Sequence, residues 1–202
     1  MKKYKLLLLP GLLICSLFHQ QVKAQQAPLS SITNSGKVWA LLYQQQAAEY
    51  RALCFQAYNI AKLRLDEALK HPGKKPLAVI TDIDETVLDN SPYDAARAIN
   101  NLDFDITTWK QWTAKGIADT VPGAPSFFKY AAKKGVAVFY ITNRDEDERA
   151  GTLKNLKLYN MPNTDDAHLI LKQETSSKEA RRQLVLKKYN VVLLCGDNLP
   201  DF

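Results

Sequence analysis

From Lys74 onward, short apolar runs alternate with longer amphipathic ones, and this alternation narrows the fold more than any other feature of the sequence. Residues 77–81, 136–141, 168–171 and 191–194 are apolar, and most are rich in β-branched side chains. Between them, residues 123–134, 146–160 and 176–189 have helical length and pattern. Strand followed by helix, repeated, predicts an α/β fold: a parallel, Rossmann-like sheet with helices on both faces. In open sheets of this type ligands bind outside the carboxyl ends of the strands. The residues that follow each apolar run are therefore the ones to inspect.

The first run leads into Asp82-Ile83-Asp84-Glu85-Thr86, and Asp89 brings a fourth carboxylate close by. The second run leads into Thr142-Asn143-Arg144, and the fourth into Gly196-Asp197-Asn198-Leu199-Pro200-Asp201. Lys178 falls in the expected first turn of the helix that begins near Ser176. Crowded carboxylates repel, and burial raises the cost, so a hard divalent cation is expected among them. Oxygen-only ligands favour Mg2+. A carboxylate can attack phosphorus, and a second one two residues on can move the proton. A lysine and a hydroxyl suit the phosphoryl oxygens. Asp89, beside Asn90-Ser91-Pro92, fits a turn or cap, and Glu85 fits a supporting or surface position. Asp145-Glu146-Asp147-Glu148 fits a helix start, where negative charge suits the dipole.

The N-terminus carries a different message. Lys2, Lys3 and Lys5 precede an apolar stretch, and Val22-Lys23-Ala24 presents small residues at a cleavage position. Residues 1–24 are thus expected to be a signal peptide, leaving Gln25 as the first mature residue. Cys15 raises lipidation, but Ile14 before it is bulkier than a lipoprotein cleavage site accepts, and a retained anchor is the other alternative. The leader holds four Lys and no acid, so removing it leaves 23 basic against 21 acidic residues. The chain's formal +6 is largely a targeting signal, which excludes basicity as an argument for a nucleic-acid polymer. Cys54 and Cys195 are expected as buried free thiols, with one bridge open in an oxidising compartment. The remainder divides into a helical segment at 25–73, with one long helix at 37–70 stopped by His71-Pro72-Gly73, and a core at 74–202.

Taken together, "DIDETVLDNSPY", "TWKQW", "VPGA", "FYITNR", "SSKEARR" and "GDNLPDF" resemble the class C bacterial acid phosphatases of the haloacid dehalogenase superfamily. The helix sequence "ALLYQQQAAEYRALCFQAYNIAKLRLDEAL" resembles theirs as well. Asp84 places the likeness with the phosphatases, since the dehalogenase branch lacks the second Asp. The resemblance implies a phosphoric monoester hydrolase, exported to the periplasm or outer membrane or secreted, that accepts 5′-nucleotides. It implies Asp82 as nucleophile and Mg2+ ligand. Asp84 would be the general acid/base, with its backbone carbonyl on the metal. Thr142 and Lys178 would bind phosphate, with a contact from the Asn143 backbone N–H. Asp197 would complete the metal ligands, and Asp201 would be a ligand or a support.

Residues 90–121 are too long for a simple crossover and hold Tyr93, Phe104, Trp109 and Trp112. They predict a small cap. Its aromatics either pack on the core or stack on a substrate ring; Trp109 is the first candidate for stacking and Tyr93 the second, while Trp112 fits the core. Phe202 follows the last acidic motif directly, whereas members of the resembled family continue for several tens of residues, so either a truncated chain or a degenerate member of that family is expected. That leaves a second function class open, a non-catalytic phosphate- or nucleotide-binding surface protein. The sequence also leaves open a homodimer and an association with the outer membrane.

Overall fold

The computed structural model describes residues 29–202, with side chains from Gly36 onward. The expected leader at 1–24, with Cys15, lies outside the described residues. The described residues begin with α1 (Leu29–Gln46) and α2 (Ala48–Ala68), followed by strand β1 (Leu77–Thr81). One helix is expected across 37–70, but Ala47 adopts extended geometry with φ −76° and ψ 127°. No Gly or Pro marks this break, and its cause is tertiary: α1 packs on the cap, while α2 packs on the sheet and its covering helix.

The core continues with α5 (Ala124–Lys133), β4 (Ala137–Ile141), α6 (Arg149–Leu158), β5 (Leu169–Ile170), α7 (Glu179–Lys188) and β6 (Asn190–Cys195). The sheet is parallel throughout, in the order β5-β4-β1-β6. All five residues of β1 are buried, as an interior parallel strand requires. Their side chains alternate between two cores. Leu77 and Val79 share one with Leu65 of α2 and with Phe127 and Phe128 of α5. Ala78 and Ile80 share the other with Phe139, Ile141 and Val185.

Three expected boundaries shrink. The strand at 168–171 pairs only through Leu169 and Ile170. The helix expected at 146–160 opens with a 3-10 turn, Glu146–Glu148, capped by Asp145. The helix expected at 176–189 begins at Glu179, so Lys178 is its N-cap residue rather than part of its first turn. Cys54 and Cys195 are free and half-buried, less enclosed than expected.

The insertion forms a cap of two helices on a short ladder. It runs from β2 (Leu88–Asp89) through α3 (Ser91–Ile99) and α4 (Ile106–Lys115) to β3 (Asp119–Thr120). β2 and β3 pair antiparallel, Leu88 opposite Thr120. Asp105 caps α4 by accepting from the Thr108 amide at 2.9 Å, and Gly116 ends it in the left-handed region, φ 59°. The Asp89 carboxylate accepts from the Ser91 amide at 2.9 Å, which is the turn role expected of it.

Candidate active site

The first acids are placed by backbone geometry. The Asp82 amide donates to the Cys195 carbonyl at 2.9 Å, carrying the sheet one residue beyond β1. The chain then curls so that the Val87 and Leu88 amides both donate to the Ile83 carbonyl, at 2.8 and 2.9 Å. Closing this curl puts Glu85 at φ 56°, uncommon for a residue with a side chain. Asp82 and Asp84 both stand just beyond the carboxyl end of β1.

Lys178 joins Asp82 to the far end of the chain. Its ammonium lies 2.7 Å from Asp82 Oδ1 and 2.5 Å from Asp201 Oδ1. It is aligned as a hydrogen-bond donor only to Asp201, so the buried Asp82 Oδ1 has no hydrogen-bond donor among the described residues. Asp201 is held on its other side by the Asn198 amide, 3.1 Å from Oδ2. Gly196 makes this packing possible: a Cβ there would stand 2.3 Å from the Asp201 Cβ. Burial pushes the Asp82 carboxyl up to about 6, against the pull of Lys178. Burial also raises Asp197, and the Asp201 charge adds to it.

Asp82, Asp197 and Asp201 each offer an oxygen within 4.8 Å of the others. Three carboxylates, one with an oxygen lacking a donor, fit a hard divalent cation. The Asp84 side chain stands outside this set. Its Oδ1 accepts from Arg144 Nη2 at 2.7 Å and from Asn90 Nδ2 at 2.8 Å. Arg144 Nε lies 3.2 Å from both of its oxygens. Thr142 Oγ1 lies 3.5 Å from Oδ2, which brings the β4 end to the same crevice.

Asn143 is exposed, and its Oδ1 accepts from Arg181 Nη2 at 2.7 Å. Arg181 also donates to the Thr142, Ser176 and Ser177 carbonyls, pinning the β4 end to the start of α7. Burial lowers its guanidinium pKa. The structure thus adds Asn90, Arg144 and Arg181 to the residues expected at the site. Arg144 and Arg181 lie inside "FYITNR" and "SSKEARR", but nothing in their spacing distinguishes a buried arginine from a solvated one.

In the cap, Trp109 is half-buried, with the Arg144 guanidinium 5.8 Å from its ring, so it borders the crevice. Tyr93 is 7% exposed. Its ring lies against Trp109, Phe104 and Trp112, and its hydroxyl meets the Asp105 carbonyl and Thr108. The expectation of a stacking face at Tyr93 is corrected: its surface is spent inside the cap. In a second acidic group, Asp145 and Asp147 are paired with Lys110 and Lys172, while Glu148 accepts from the Thr113 hydroxyl and the Asp145 amide. The group's place at the start of α6 matches the helix-opening role expected.

Residues 3–202 match the family model described as HAD superfamily, subfamily IIIB (Acid phosphatase). The chain belongs to this family. Among solved structures, it is similar to the class C acid phosphatase of Bacillus anthracis, represented twice and once with tungstate bound. The TM-score is 0.81 at 38% identity, over 84% of this chain and 71% of that one. Curated relatives include the stem 31 kDa glycoprotein of Glycine max, 30% identical over 128 residues, and acid phosphatase 1 of Solanum lycopersicum, 30% over 130. Each alignment covers 60% of this chain, and the chain spans about half the length of these relatives.

Proposed function

We propose that the chain is an exported, Mg2+-dependent phosphomonoesterase that works through an aspartyl-phosphate and accepts 5′-nucleotides. The observation that carries this is the division of labour between two acids of one strand end. Asp82 lies among Lys178, Asp197 and Asp201, while Asp84 is turned away from them, toward Arg144 and Asn90. The tungstate bound by the Bacillus anthracis relative, a tetrahedral oxyanion, supports a phosphoryl ligand here.

In the first step an Asp82 oxygen attacks phosphorus, and the bond to the leaving oxygen breaks with its electron pair. Asp84 gives that oxygen a proton. In the second step Asp84 takes a proton from water, whose oxygen attacks the phosphorus. The bond to Asp82 then breaks, releasing phosphate and restoring the carboxylate. Lys178 and Thr142 hold the phosphoryl oxygens, and Trp109 offers a ring for a nucleobase to stack on. A divalent cation at Asp82, Asp197 and Asp201, with the Asp84 carbonyl, would supply positive charge against the oxygens of the transferring group.

Export rests on the basic and apolar pattern of residues 1–24. Among the described residues no helix is long and apolar enough to cross a membrane. Phosphate release from an aryl phosphate and from a 5′-nucleotide, with and without Mg2+, tests the reading. Asp82→Asn is expected to abolish release. Release unchanged in that variant, or none from the parent chain, would overturn it, and phosphate binding without turnover would favour a non-catalytic binding protein.

A further inference from the structure

We propose that Asn90 is a positioning residue that anchors one oxygen of Asp84 and ties it to Trp112 of the cap helix α4. The inference rests on Asp84 being the proton carrier of the reaction above.

Asn90 is fully buried, and both ends of its side-chain amide are used. Nδ2 donates to Asp84 Oδ1 at 2.8 Å, and Oδ1 accepts from the Trp112 indole N–H at 2.9 Å. Only this orientation works, because an ionised carboxylate accepts and an indole only donates. The backbone of Asn90 is pinned as well. Its amide donates to Glu85 Oε1 at 2.8 Å, and its carbonyl accepts from the Tyr93 and Asp94 amides at 2.9 and 3.3 Å. Asn90 is therefore a fixed donor that cannot follow Asp84, and a swing of the carboxylate would break the bond to Nδ2.

Arg144 is the second jaw. Its Nη2 lies 2.7 Å from the same Asp84 Oδ1, and its Nη1 is fixed by Thr152 Oγ1 at 3.0 Å. Oδ1 thus has close donors from two sides. Oδ2 has only Arg144 Nε at 3.2 Å and Thr142 at 3.5 Å. The clamp leaves Oδ2 as the oxygen that exchanges a proton with the leaving group and then with water. Because Asn90 stands where β2 passes into α3, and Trp112 lies on α4, the cap and the proton carrier are joined through one side chain.

A misplaced acid is felt most where the leaving oxygen most needs a proton. In Asn90→Ala, kcat/KM for an alkyl phosphate such as glycerol 2-phosphate is expected to fall about 100-fold, the scale of an ångström-sized misplacement. For 2,4-dinitrophenyl phosphate, whose leaving group departs as a stable anion, the expected loss is under about fivefold. Trp112→Phe keeps a ring and removes the N–H, and should show the same selectivity with a loss of about tenfold on the alkyl ester. It decides the matter if Asn90→Ala fails to fold. Equal losses on both esters, in a folded variant, would overturn the positioning role while leaving the phosphatase reading intact. No release from either ester by the parent chain would overturn that reading and this inference together.

Discussion

The ammonium of Lys178 lies 2.7 Å from the Asp82 carboxylate, although one residue caps a helix and the other ends a strand 96 positions earlier. The same ammonium is shared with Asp201, so one cation offsets two buried carboxylates. Lys178→Ala is expected to lower kcat by about 10² to 10³, the scale for losing one donor to a developing oxyanion. Lys178→Arg should not restore it, because a planar fork cannot replace a point charge seated between two acids. Steady-state phosphate release measures both.

The Asp82 carboxyl, raised to about 6 by burial, makes cation binding proton-linked. A raised acid is favoured in its protonated form in the fold, so its contribution to stability is present at low pH and is lost as pH rises from the unfolded value toward 6. A bound cation reverses this by favouring the carboxylate. Titrating Mg2+ into chelator-treated protein at pH 5.5 should release protons, and release should vanish near pH 8. Calorimetry in buffers of different ionisation enthalpy gives the count.

Glu85 is pushed up to about 8, by burial first and by the Asp84 charge second. The sign is the same: stability falls as pH rises between about 4.5 and 8. Glu85→Gln imitates the protonated carboxyl, so it should flatten the decline in Tm between pH 6 and 9. Thermal unfolding of both proteins across that range is the check. Parallel curves would show that Glu85 titrates elsewhere.

Gly196 admits the Asp201 side chain at a distance no Cβ tolerates. Gly196→Ala should therefore displace Asp201, destabilise the fold by about 1–3 kcal/mol as an overpacked site, and raise the Mg2+ concentration needed for half-maximal activity. Denaturant unfolding and a Mg2+ titration of the rate separate the two effects.

The sheet was legible because buried parallel strands demand apolar runs, and the acids stood out because they end those runs. Asp82, Asp84, Thr142, Asp197 and Asp201 stand at one end of the sheet for that reason, and Lys178 reaches them from the start of α7. The break at Ala47 was not legible, since it follows from what α1 and α2 each pack against rather than from any residue in "QQQAAE". Asn90 looked like turn chemistry, and it is indeed the residue before α3. Its second use, bridging Asp84 and Trp112, depends on a partner 22 residues on. Tyr93 shows the converse. An aromatic in an insertion looks available for a ligand until its neighbours are known.

β6 has a single partner among the described strands and is only half-buried, whereas β1 is enclosed on both sides. Two of the three acids of the cluster therefore follow an edge strand of the sheet. Local opening of that strand would carry Asp197 and Asp201 away from Asp82, so a cation bound between them would act as a clasp on the sheet's margin. The energetics of ion capture and of strand fraying are then one quantity. Amide hydrogen exchange along residues 190–195 should slow when Mg2+ is added, while exchange in β1 stays as it was.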